Sequence, residues 1–496
     1  MDINMKRPML FTAIAVIFIS IFSLKIDETG LIIAIGLIFI AYAVLFYKSV
    51  YQIAVIAFCI LLFLNSVITT KEKIDNMDRY SNTPAYFDLL AIENTQSNNR
   101  MNFVVVKIIG SNKFADNEKL LLSYYGDRKI SAGEKFTARV RMMSLKNSVY
   151  KDSRYADGIY AQLNMEEYCK KLGKDKFWSN LQTFRDYITK TITNSMTKDS
   201  AATMCGITIG NKDFFGDEFA SNVKSSGVSH VMVVSGLHLS IILGGIFSLI
   251  EKLIYNKYLK LFSSLISVIV LVAVCGFTMS VIRAGIMFIL AALAPVLNRD
   301  NDSLSCLSTS VVIISLFSPF ATYSVSLQLS VLATFGIIAI APFYNEMICD
   351  KLNIKNKIIN TIISMFINTL SATVTTLPIT ILTFGFTSIV APATNIFITY
   401  PVTYALTMNC VAILFNGIPL LTYISKVLFL FVDIIVSFIN GCINYFGELK
   451  FAAVNVSKHY AFLAVVISMV LLIIMYTCKK HNFLIKSKLI KERRKN

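Results

Sequence analysis

The chain has 496 residues, of which 55% are hydrophobic and only 16% charged, with a formal net charge of +17. Ordinary soluble domains carry about 25% charged residues, and their surface-to-volume ratio demands a large polar skin that this composition cannot supply. A soluble globular enzyme is therefore excluded, and lipid is the natural solvent for most of the chain.

In chain order, the first apolar runs are Met9–Leu24, Leu31–Tyr47 and Ile53–Ile68. With its borders, each approaches the roughly 20 residues that a helix needs to cross a bilayer. The first follows Lys6 and Arg7 but shows no small-residue cleavage site, so it reads as a retained anchor. Residues 1–70 are expected to be N-terminal transmembrane helices. Lys71 to about Ser200 is polar and holds the only tryptophan, Trp178. Within it Phe103–Ile109, Leu120–Tyr125 and Lys135–Met142 read as strands, punctuated by Gly110, Gly126-Asp127 and Gly133. Asn180–Met196 then has helical spacing of Leu181, Phe184, Ile188 and Ile192. The expectation for 71–200 is a small β-barrel with a trailing helix.

From Val231 onward the chain is almost wholly apolar, with spans expected near residues 241, 270, 289, 311, 334, 371, 402, 431 and 468. No charged residue occurs between Lys357 and Lys426, a stretch that must hold at least two crossings. The fold class expected is mainly α, a polytopic bundle of about 12 spans with a small extracytoplasmic β-barrel domain. Odd numbers of spans on either side of the polar domain put both termini on one side. The basic loops around Lys252–Lys260, Asn298–Asp302 and Asn345–Lys357 make that side cytoplasmic. Residues 201–480 form the second membrane part, and 481–496 a basic cytoplasmic tail. Much of the positive charge is accounted for in this way, although a polyanionic ligand would use the same charge.

Seven of the nine prolines lie between Pro295 and Pro419. Broken helices in lipid are tolerated where neighbouring helices or a wet cavity satisfy the freed carbonyls. The most specific segment, Gly227–Gly245, places His230, Ser235, Gly236 and His238 within an apolar span. On an unbroken helix the two histidines would sit about 80° apart and share no ligand sphere; Ser235-Gly236 could break it. Ser235 and His238 lack an orienting carboxylate and a nucleophile elbow. Nine cysteines without a Cys-x-x-Cys pair indicate neither zinc nor disulfides, and no metal or cofactor is expected. Arg283 is the only charged residue between Lys260 and Arg299. Its cost in a bilayer requires it to face the interior and pair with a carbonyl, a phosphate or a carboxylate such as Asp433. Gly206–Asp213 has the wrong spacing for a phosphate loop, so no ATP-binding motif is found.

Gly227-x-x-His230 followed by Ser235-Gly236-Leu237-His238 resembles the core motif of the ComEC-type competence family, and Gly206–Lys212 its preceding glycine-bearing segment. Downstream, Ser280-x-x-Arg283-Ala284, Ser326-x-Gln328-Leu329-Ser330 with Ala333-x-x-Gly336, and Thr376-x-Pro378 through Asn395 follow the same order. The resemblance implies an inner-membrane channel that passes single-stranded DNA during natural transformation. His230, Ser235, Gly236, His238, Arg283, Gln328 and Asn395 would line or scaffold it. It further implies an OB-like external domain, where Lys107, Arg128, Lys129, Arg139 and Arg141 among aromatics are candidate DNA contacts. Many family members end in a metallo-β-lactamase-like domain with a His-x-His-x-Asp-His cluster. This chain has no such cluster, so no nuclease activity is expected of it. The implied partners are membrane lipid, single-stranded DNA, a DNA receptor, a helicase-like motor and a separate nuclease. A small-solute transporter, or an intramembrane hydrolase or metalloenzyme, are the competing expectations.

Overall fold

A computed structural model describes residues 8–23, 50–98, 101–110, 118–211, 214–352, 356–457 and 460. The expected span at 31–47, that near 468 and the basic tail lie outside these residues. The chain divides into two compact units, Met1–Ile188 with Ser308–Leu327, and Thr189–Leu307 with Gln328–Asn496. Among the described residues, seven helices are long and apolar enough to cross a membrane, and Met279–Leu293 and Ser303–Phe317 are shorter apolar helices. The chain is a mainly helical, multi-pass membrane protein.

In the first unit, α1 (Pro8–Ser23) packs Val16 and Ile19 against Ile56, Ile60, Phe63 and Val67 of α2 (Val50–Arg79). The third apolar run was expected to end at Ile68. Instead α2 runs on to Arg79, because Thr69–Arg79 contains neither Gly nor Pro to stop it. Its polar end enters the domain, where Ile74 and Met77 join the core of the sheet. The Ser308–Leu327 segment is tied in by hydrogen bonds. The Ser66 hydroxyl donates to the Leu316 carbonyl at 2.8 Å. That of Ser20 donates to Pro319 at 2.6 Å and is bonded to Thr322. Phe320 reaches the domain core and packs on Tyr155 and Tyr160.

The sheet comprises β1 (Pro84–Ala91), β2 (Gln96–Asn98), β3 (Met101–Gly110), β4 (Lys119–Tyr125), β5 (Glu134–Ser144) and β6 (Ala161–Lys174). The three expected strands are β3, β4 and β5, extended by three, one and three residues. Side chains alternate strictly along β3 and over most of β5, as one-faced burial requires. β1 pairs with β5, β5 with β6, β6 with β4, β4 with β3, and β3 with β1, so the ladders return to their start. The β4–β6 ladder is parallel and the others antiparallel. Leu89, Val106, Ile108, Leu120, Leu122, Phe136, Ala138, Val140 and Leu163 fill the interior. After the short helix α3 (Lys151–Ala156) and β6, α4 (Lys176–Ser195) begins against the start of β5, with Ser179 beside Gly133.

The second unit contains α5 (Lys198–Ile209), α6 (Asp217–Ser225), α7 (Gly236–Leu253), α8 (Lys257–Val274) and α9 (Met279–Leu293). The helix α10 (Ser303–Phe317), which belongs to the first unit from Ser308 on, is followed by α11 (Val325–Phe335), which leads through a π segment at Gly336–Ile340 into α12 (Ala341–Leu352). Pro342 has no N–H with which to close the α-helical bond, which accounts for the wider register just before it. The remaining elements are α13 (Lys357–Phe384), β7 (Phe386–Ser388), α14 (Ala391–Asn416), α15 (Thr422–Gly447) and β8 (Ala453–Asn455), with β7 and β8 paired. Pro378 and Pro401 lie inside α13 and α14. Around them, Thr376, Thr380, Thr399 and Thr403 return their hydroxyls to carbonyls four residues back, a pattern that bends helices.

Phe136 is wholly buried and stacks on Tyr168 at 5.2 Å. Phe136→Ala should cost about 3–5 kcal/mol. Denaturant unfolding of the full chain, followed by the fluorescence of Trp178, the single tryptophan on α4, measures the loss.

Candidate functional site

The site is built on loops that lead into helices. Gly227 has a φ of +77°, and a Cβ there would lie 2.5 Å from the Ala391 Cβ and 2.7 Å from that of Ser388. Glycine is needed for both reasons, and the approach brings the 227–235 loop against the start of α14. Asn395 is buried in the first turns of that helix and accepts the Thr399 hydroxyl on its carbonyl. His230 lies on the loop itself. Its side chain is exposed.

Ser235 and Gly236 do break the apolar span, because α7 begins there. Ser235 is extended and caps α7, its side chain accepting from the His238 N–H. In return the His238 Nδ1 accepts from the Ser235 N–H at 3.3 Å. This reciprocal box satisfies donors that a helix start otherwise leaves orphaned. The serine oxygen thus faces a backbone amide rather than the His238 imidazole. His238 is fully buried, and its Nε2 makes no well-formed hydrogen bond among the described residues. No group of three or more His, Cys, Asp or Glu that could hold a metal occurs among them either.

Arg283 stands one turn into α9 and is 5% exposed. Its Nε donates to the Ser330 hydroxyl of α11 at 2.9 Å, and its Nη1 to the Met287 sulfur at 3.0 Å. Its Nη2 lies 3.0 Å from where a Cβ on Gly236 would be, so a larger residue there would have to push the guanidinium aside. Asp433 is engaged elsewhere. Its carboxylate accepts from the Thr197 N–H at 3.1 Å and the Thr197 hydroxyl at 2.7 Å, just before α5. No ion pair of Arg283 occurs among the described residues.

The sequence motifs converge. Gly236 meets Arg283, and Arg283 meets Ser330. Further along α11, the Leu332 carbonyl accepts from Thr375 of α13 at 2.9 Å, and Gly336 lies against Ser371 and Thr375. Gln328 is half-buried on α11. Sequence reading missed the polar seam of α5. There Thr203 donates to Asn440 at 2.8 Å, and the Asn409 amide donates to Thr208 at 3.0 Å, all buried. Ser200, Ala201, Ala202 and Gly206 on that helix were the available signal, since small residues let helices approach closely in lipid.

The five basic candidates on the sheet do not form one patch. Arg139 and Arg141 both engage Glu166, at 3.4 and 2.7 Å. Arg128 lies with its guanidinium 3.3 Å over the Tyr168 ring, and Lys129 beside it is exposed. The Tyr168 hydroxyl donates to Glu134 at 2.9 Å; burial, and then that bond, push its pKa up to about 12. Lys107 lies opposite Lys119 at the other end of the β3–β4 ladder from Arg128. Burial foremost, and then Lys107, hold the Lys119 amine below its ordinary range.

Two comparisons bear on the chain. The family described as "Competence protein" matches residues 207–481. ComE operon protein 3 of Bacillus subtilis (strain 168) is 21% identical over 311 residues, which cover 62% of this chain and 38% of that protein. The chain thus aligns with well under half of its relative's length. No solved structure matches.

Gly227→Ala should destabilise the second unit by about 2–4 kcal/mol, from the positive φ and the overlap together. Buried Cys205 on α5 should then become reactive to a thiol-specific dye at a lower temperature.

Proposed function

The chain belongs to the competence protein family, and on that premise we propose that it forms a passage for single-stranded DNA across the bacterial inner membrane during natural transformation. A polyanion cannot cross hydrocarbon unless protein groups replace its water. The observation that carries this reading is the buried, carboxylate-free Arg283 beside the capped start of α7, with the exposed His230 on the loop that leads there. His230, Ser235, Gly236, His238, Arg283, Gln328 and Asn395 are the proposed lining or its scaffold. The reading gives the chain no bond-making step.

We count about twelve spans: the described apolar helices, α1 among them, together with the runs at 31–47 and near 468. Both termini are then cytoplasmic. We read the closed ring of five strands, with its one parallel ladder, as the OB-like domain that the family resemblance implies. It would lie outside and receive the strand. The Arg128–Tyr168–Phe136 stack supports this, because a base can continue a stack of rings without regard to sequence. A DNA receptor, a helicase-like motor and a separate nuclease are the partners that such a passage requires.

Arg283→Ala and His238→Ala should each reduce DNA arrival in the cytoplasm to background, while DNA binding at the cell surface and membrane insertion stay normal. Labelled DNA scored separately at the surface and inside the cell checks this. Normal arrival in well-expressed variants would sink the reading.

A further inference from the structure

The helices α7, α8 and α9 run up, down and up, joined by the short turns at 254–256 and 275–278. The starts of α7 and α9 therefore lie at the same end, and Gly236 abuts Arg283 and Ala284 of α9. Each helix start carries roughly half a positive charge, so two such ends side by side, with a guanidinium at their junction, repel one another unless an anion intervenes. No acidic residue occurs in the first turn of either helix. Two donors here have no hydrogen-bond partner among the described residues: the hydroxyl of Thr278, which precedes α9 without capping it, and the Arg283 Nη2. Buried polar groups are nearly always satisfied, and two unpaired donors at adjoining helix starts point to a missing, negatively charged acceptor.

We propose that the adjoining starts of α7 and α9 form a buried site for one phosphodiester oxyanion. The Nη2 of Arg283 and the Thr278 hydroxyl donate to it, and the first-turn amides face it, as helix starts do for phosphate elsewhere. Geometry distinguishes this from a general positive lining: Nε and Nη1 are already engaged by Ser330 and Met287, so the Nη2 end is the one that faces the site. One arm holds one phosphate at a time, weakly enough to release it, and a strand would pass its phosphates across the site in turn. The inference rests on the DNA-passage reading for its cargo. The shared chemistry, a phosphodiester monoanion, is also that of a lipid headgroup.

The test uses the full chain in maltoside micelles, which contain no phosphate. Dimethyl phosphate, a short oligothymidylate and dihexanoyl phosphatidylglycerol are added separately, with a neutral methylphosphonate oligothymidylate as control. Binding is read as a rise in the temperature at which Cys205 becomes reactive, since a ligand of the folded unit stabilises it. Dimethyl phosphate should raise that temperature and the methylphosphonate strand should not. Arg283→Gln, which keeps size and hydrogen bonding, should raise the half-saturating concentration about tenfold, and Arg283→Lys less so. Loss in the oligothymidylate arm identifies the strand as the source. Loss confined to the phosphatidylglycerol arm supports the site but makes it a lipid site. Equal responses of wild type and Arg283→Gln to all probes, with both variants folded, overturn the site. If the binding loss appears in vitro but Arg283→Gln cells import DNA normally, the passage reading falls and the site stands; intact binding with failed import does the reverse.

Discussion

A guanidinium taken out of water must find its partners in protein, and the arrangement of three helices follows from how Arg283 is provided for. Insertion scales put the cost of such a residue at mid-membrane at a few kcal/mol. A carboxylate would offset that cost, but Asp433 is instead engaged by Thr197. What Arg283 receives is a hydroxyl on α11, a sulfur on its own helix and the glycine start of α7. Each is neutral, so the residue keeps its full charge inside an apolar bundle. A fold selected only for stability would neutralise or replace such a charge, because apolar residues of similar volume do as well or better.

The same scarcity of water governs the backbone. Proline within α13 and α14 leaves carbonyls without their helical donors. Threonine hydroxyls occupy neighbouring carbonyls along both helices, and Thr375 bonds across to α11. The α11–α12 helix yields to a π segment before Pro342. These are places where a helix can bend or re-register at small cost, and they lie in the elements that carry the motifs.

How much of this was legible depended on whether one face of a segment faces the core. β3 and β5 alternate cleanly and were readable residue by residue. β6 was not, because its second half, Glu166–Lys174, leaves the core and pairs with β5 as a polar ribbon; without a buried face it has no period. β1 was hidden by Pro84 at its start and by Asp88, which accepts from Thr137 across the strands at 2.6 Å. In the site, the Ser-Gly-Leu-His motif marked the place but not the role. A serine followed three residues later by Glu or Gln is a familiar helix start. Here histidine takes that position, which the familiar pattern does not include. The α5 seam was invisible for a different reason: its partners Asn409 and Asn440 lie more than 200 residues away, and no local pattern reports a contact at that distance.

The formal charge of +17 gives little guide to where positive potential acts. On the sheet, Arg139 and Arg141 share Glu166, Lys171 faces Glu134, and Arg128 lies on an aromatic ring. Exposed charges of this kind are screened over about 10 Å at ordinary ionic strength. At an effective dielectric near 20, a unit charge 4 Å from a phosphate interacts with it about four times as strongly as in water. A single buried, uncompensated guanidinium therefore outweighs several exposed and paired ones at contact distance, while the exposed ones dominate only as a diffuse attraction. Capture of a polyanion and its passage through lipid would place these two different demands on a protein, and the positive groups of the two units are built differently.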